Sequence, residues 1–145
     1  MTYKRVLVAV DLGETSEKVI SRASALAQSN DARIHIVHVV EPLSITYGGD
    51  IPMDFSSIQD EIHQQASEQL KKLCAAHGVP EDRQHIVVGR PETEIPEKAK
   101  EISADLICVG SHARWGLALL LGSTADGILH GAECDVLAVR VELSD

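Results

Sequence analysis

Apolar positions along this chain follow two rhythms that alternate from one end to the other. The runs Arg5–Val10, Arg33–Val40, Gln84–Gly89, Ala104–Gly110 and Asp135–Val141 are short and nearly continuous in Val, Ile, Leu and Ala. Continuous rather than alternating hydrophobicity marks strands covered on both faces. Between them the spacing changes to three and four. Val19, Ile20, Ala23, Leu26 and Ala27 form one such stripe after Thr15, with Asn30 as its stop signal. Ile58, Ile62, Ala66, Leu70, Leu73 and Cys74 form a second, closed by Gly78 and Pro80. Ile95, Ala99 and Ile102 form a third, with Pro96 placed in the first turn, and Ala125, Ile128, Leu129 and Ala132 a fourth that ends near Gly131. Three- and four-residue spacing is that of helices with one buried face, and a stripe such as Ile58, Ile62, Ala66 and Leu70 is read as core.

Strands and helices that take turns predict an α/β fold: a single doubly wound domain over residues 1–145, with a five-stranded parallel sheet and helices on both faces. The third strand is short and expected near an edge. In such sheets ligands bind beyond the carboxyl ends of the strands, where the strand order reverses. The segments to inspect are therefore Asp11–Thr15, Val39–Pro42, Gly89–Glu92 and Gly110–Thr124. The long connection from Glu41 to Ser56, with Pro42, Gly48, Gly49 and Pro52, has the length of a functional loop.

Composition narrows the function. Aromatic residues are only 3% of the chain, so the core is aliphatic. The formal net charge of -9 argues against a nucleic-acid surface and against anionic membranes. No apolar run reaches the roughly 20 residues of a membrane span, and the chain starts directly with a strand, so a cytoplasmic location is expected. Cys74, Cys108 and Cys134 are odd in number and unpaired in spacing, and read as reduced thiols. The histidines show no ligand spacing, so no metal site is expected.

Several doubly wound families are excluded by what is missing. There is no G-x-x-x-x-G-K-[ST] loop and no G-x-G-x-x-G after the first strand. A receiver domain needs an acidic pair after its first strand, where Asp11 stands alone. The informative segment is Gly110–Thr124. It leaves the fourth strand through Gly110 and returns through Gly122, Ser123 and Thr124 into a helix. Glycines admit a ligand close to backbone N–H groups, a helix start supplies unpaired donors, Ser123 and Thr124 supply hydroxyls, and Arg114 supplies a cation. These are the parts of an anion cradle; Ser123 serves equally well as an ordinary helix cap.

This segment resembles the glycine-rich signature of the universal stress protein family. The first strand up to Asp11, the second strand over Val37–Val40 and the last over Cys134–Val139 resemble the same family's strands, so the likeness spans the whole chain. The resemblance implies strand order 3-2-1-4-5 and a homodimer. In the nucleotide-binding branch it implies that Asp11 and the Val39 backbone hold the adenosine part. Gly110, His112, Gly122 and Ser123 would line the ribose and phosphates, with Ala113, Arg114 and Thr124 beside them. Ala113 stands where that branch has a second glycine, and eight residues rather than nine separate it from Gly122. The expected function is therefore a non-enzymatic, ATP-binding (or ADP- or AMP-binding) regulatory domain of the stress response, with Mg2+ as an optional companion ion and a protein partner not named by the sequence. The alternatives are a dimeric interaction module that binds no nucleotide, and a weak ATPase. In the implied order the last strand is a bare edge, so the homodimer is expected to form through residues 136–141.

Overall fold

Each of the five aliphatic runs becomes a strand, because a run apolar on both sides is stable only where helices cover both faces. The computed structural model describes residues 2–42, 56–110 and 122–141. In chain order these hold β1 (Arg5–Ala9), α1 (Ser16–Asn30), β2 (Arg33–Val40), α2 (Ser56–Ala76), a 3-10 turn (Glu81–Arg83), β3 (Gln84–Val88), α3 (Pro91–Ile102), β4 (Leu106–Gly110), α4 (Gly122–Gly131) and β5 (Asp135–Val139). All neighbouring strands pair parallel, in the order β3-β2-β1-β4-β5. The chain therefore winds outward to one edge, returns past β1, and winds out to the other.

Alternation within the strands divides the core in two. Val6, Val8, Ile36 and Cys108 point to one side, where Val19, Ile20 and Ala23 of α1 and Leu70 and Cys74 of α2 meet them. Leu7, Val37, Ile107 and Val109 point to the other, against Ile95 and Ala99 of α3 and Ile128 of α4. The interior is aliphatic throughout, as the low aromatic content required. Cys74 and Cys108 are buried free thiols, and burial pushes them up to about 11 and about 12 respectively.

Three local expectations are corrected. Ile58 and Ile62 are exposed, at 46% and 37%, while the buried stripe of α2 begins at Ala66. The reason is length: 21 helical residues reach about 32 Å, whereas the neighbouring five-residue β3 reaches only about 17 Å, so the first turns of α2 overhang the sheet. Pro96 is not in a first turn. Arg90 is extended, Pro91 opens α3, and Pro96 lies inside the helix, buried where it meets Gly131 of α4. Asn30 is the last residue of α1, but the left-handed stop falls on Asp31, at φ 54. Ala32 N–H reaches back to the Ala27 carbonyl at 2.8 Å, which completes a Schellman ending without glycine. Ser103 ends α3 in the same way, at φ 58.

Candidate functional site

The strand order reverses between β1 and β4, so the fold's own crevice lies beyond Ala9 and Gly110. Three of the residues singled out from the sequence come together there. Asp11 follows β1 in the turn that enters α1. Its Oδ1 accepts the Gly13 N–H at 2.8 Å and the Ser16 hydroxyl at 3.3 Å. Ser16 is buried, so that hydroxyl has few other partners to choose from. Leu12 between them has φ 63, a left-handed conformation unusual for a side chain of its size. The Asp11 carboxylate holds this turn closed. Both bonds fall on Oδ1, so the second carboxylate oxygen retains its capacity to accept from a ligand.

Val39 enters through its backbone. Its side chain packs into the α3–α4 side of the core. The ladder between β1 and β2 ends with Val10 N–H donating to the Val37 carbonyl at 3.0 Å. In a parallel strand, residues two apart turn their N–H and C=O to the same side. Val39 therefore directs its backbone groups to the β1 side at a level where β1 has already ended. The opposite polarity at Val40 agrees, since its carbonyl accepts the Gly89 N–H from the β3 side at 3.0 Å. The overrun of β1 by β2 thus leaves a peptide donor and acceptor at the switch point, next to Asp11. His38 lies beside them, with Nδ1 at 2.8 Å from the Val10 carbonyl.

Gly110 is the last residue of β4 and is half-buried. A Cβ there would touch Val19 at 3.4 Å and Val141 at 3.6 Å, which is close to ordinary contact. Packing below the strand therefore does not by itself require glycine. Gly122, Ser123 and Thr124 form the first turn of α4, which carries no acidic residue. The backbone N–H groups of that turn are the donors a phosphate would use. His112, Ala113 and Arg114 lie outside the described residues.

A cleft of about 590 Å³ opens elsewhere, between α1 and β5, where Lys18, Arg22, Leu26, Leu137 and Arg140 line it. It includes none of the nucleotide-site residues proposed from the sequence, and Leu137 and Arg140 belong instead to the strand expected to form the homodimer. The strand order and the backbone groups that Val39 turns toward β1 point to the switch point as the candidate site instead. Among the described residues no three His, Cys, Asp or Glu side chains converge as metal ligands, and no helix is long and apolar enough to cross a membrane. The pairing of His35 with His85 was not visible in the sequence; their 50-residue separation conceals a contact that only the β2–β3 register creates.

Comparison with known proteins matches residues 2–140 to the universal stress protein family. Universal stress protein A homolog 1 of Coxiella burnetii is 42% identical over 140 residues, covering 96% of this chain and 97% of the relative. Among solved structures, the hypothetical protein MJ0577 is 24% identical and superposes with a TM-score of 0.81, covering 99% of this chain and 100% of that one. A universal stress protein solved in complex with cAMP is 26% identical, with a TM-score of 0.62 and coverage of 96% and 98%.

Proposed function

The chain belongs to the universal stress protein family, and from that premise we propose that it is a non-enzymatic domain that binds an adenine nucleotide at the β1–β4 switch point. The observation that carries this reading is the overrun of β1 by β2. It presents the Val39 N–H and C=O at the crevice beside the Asp11 carboxylate. A peptide donor and acceptor side by side match the ring nitrogen and exocyclic amine of a purine edge, and a carboxylate oxygen suits a ribose hydroxyl. Gly110 and the first turn of α4 supply the close approach and the N–H donors suited to phosphate. The cAMP complex of a relative with the same fold supports an adenine nucleotide as the ligand class. Mg2+ would accompany a triphosphate and offset part of its negative charge.

Native mass spectrometry of the purified protein tests the reading first, since co-purified ATP, ADP or AMP favours it. Calorimetry with ATP and Mg2+ then compares the protein with Gly122→Val. A branched side chain at the start of α4 would block phosphate from the N–H groups, so binding should be lost with the fold retained. Equal affinity in the variant would remove α4 from the site. The competing reading, an interaction module that binds no nucleotide, draws on Ala113 and the shortened spacing to Gly122. It predicts no co-purified nucleotide and no heat of binding in either protein.

The same proposal includes a homodimer through the last strand. β5 is an edge of the sheet, and Leu137 on it is 37% exposed. An edge with unpaired backbone groups and an exposed aliphatic side chain is relieved by a second copy pairing antiparallel across a two-fold axis.

A further inference from the structure

His35 and His85 share one face of the sheet at the end remote from the crevice. Val37 pairs with His85 across β2 and β3, and His35 lies two residues before Val37, so all three point to the α3 side. His35 Nδ1 is 3.0 Å from His85 Nε2, the ring centroids are 5.3 Å apart, and the ring planes differ by 11°. That centroid separation equals the nitrogen–nitrogen distance plus one ring radius at each end, the largest separation the contact allows. The two nitrogens therefore lie on the line of centres, and the rings meet edge to edge in a common plane rather than face to face. Opposed nitrogens in one plane are the arrangement of a linear N–H···N hydrogen bond, with one proton between two lone pairs. A shared metal ion would need the lone pairs to converge on a point off that line.

The pair ties an edge strand to the interior. Among the described residues β3 pairs only with β2; Gln84 to Val87 are half-buried and Val88 is exposed. The charged groups around the pair come from three elements. Arg5 lies at the start of β1, Asp82 and Arg83 belong to the 3-10 turn, and Lys98 and Glu101 stand on α3, joined to each other at 2.9 Å. Three cations against two carboxylates oppose further positive charge at the imidazoles.

We propose that His35 and His85 form an acid-sensitive latch, whose bridging proton fastens edge strand β3 to β2 near neutral pH and whose full protonation releases it. The proton count follows from the four ring nitrogens. Two neutral rings carry two protons, one of them in the bridge. A third proton, taken from solvent, makes one ring cationic and leaves the bridge intact. A fourth places N–H against N–H and charge against charge at hydrogen-bond distance, and the bridge is lost. Burial, then His85, Arg83 and Arg5, pushes His35 down to about 4, with Asp82 pulling the other way. Burial and then Lys98 lower His85, opposed by Glu101. Both folded-state values lie below the ordinary 6.5, so the unfolded chain binds more protons. The stability contributed by the pair is complete above 6.5 and is lost as pH falls from 6.5 toward 4.

Long-range proton–nitrogen correlation of the imidazoles, with amide exchange of Gln84–Val88, tests this between pH 7.5 and 3.5 in the wild type and in a His35→Gln/His85→Gln variant. Expected are two coupled titrations below 6.5 and, after correction for intrinsic exchange, protection in β3 that drops about tenfold more than in β1 as pH falls. The variant should lose that pH dependence. Ordinary titration of either ring, equal loss of protection in β1 and β3, or an unchanged pH response in the variant would each overturn the latch. If the variant does not fold, the imidazole and exchange data on the wild type decide.

Discussion

Asp11 has two jobs in this reading, and Asp11→Asn separates them. In the turn, Oδ1 accepts the Gly13 N–H at 2.8 Å and the Ser16 hydroxyl at 3.3 Å. An alanine removes both bonds. Each is worth about 0.5–1.5 kcal/mol, and the longer one falls at the low end. Ser16 is only 3% exposed and loses a partner that water replaces poorly, while Leu12 remains at φ 63 with less to hold it. A total of about 1–3 kcal/mol follows for Asp11→Ala, which for a chain of this size lowers Tm by several degrees. The second carboxylate oxygen is the one available to a ribose hydroxyl or a base amine. Loss of a charge-assisted bond there costs about 1.5–3 kcal/mol, or roughly ten- to a hundredfold in Kd.

Asparagine keeps an acceptor for the Gly13 N–H, because Asn forms the same turn as Asp. It also replaces the second oxygen with an NH2 donor, which cannot accept. Asp11→Asn should therefore melt within about 1–2 °C of the wild type and still lose roughly tenfold or more in affinity for ATP. Differential scanning calorimetry gives the first quantity and titration calorimetry the second. Unchanged affinity in the asparagine variant, alongside a lowered Tm in Asp11→Ala, would reduce Asp11 to a turn-former and refute its part in the site.

Other substitutions test the fold around the crevice. Leu7 is fully buried on the α3–α4 side, and Leu7→Ala should cost about 2–5 kcal/mol by urea unfolding, with a smaller loss showing that the site collapses around the deletion. At Gly127 a Cβ would come within 2.6 Å of the Glu92 Cβ. Gly127→Ala should therefore destabilise, because about 1–3 kcal/mol of overpacking between α3 and α4 exceeds the gain of about 1 kcal/mol from alanine's helix propensity; a rise in Tm would mean the helices separate freely. Leu137→Lys adds a cation to an exposed edge position near Lys18 and Arg22 and should shift the protein toward monomer in light scattering with little change in circular dichroism. A dimer of unaltered mass would move the interface away from β5.

The sequence by itself determined the elements and their layering. A strand buried on both faces and a helix buried on one differ in the period of their apolar residues, and that period is a property of adjacent positions. Arg5–Ala9 and Leu106–Gly110 were legible for this reason, as was the doubly wound class. The glycine at the end of β4 and the Gly-Ser-Thr start of α4 were legible as well, because small and hydroxyl side chains mark close approach wherever the chain goes. What lay beyond local reading depends on which segments meet. Asp31 and Ser103 accept left-handed backbone because the carbonyls of the turn behind them demand donors, a requirement set by the helix end rather than by residue type. Ile58 and Ile62 have the spacing of core residues, yet only the length of the sheet beneath α2 decides that they overhang it. The direction of the Val39 backbone groups, at a position named only through the family resemblance, and the His35–His85 pair are the clearest cases. Their chemistry rests on the register of β2 against β1 and β3, and register is an agreement between strands that neither strand carries alone.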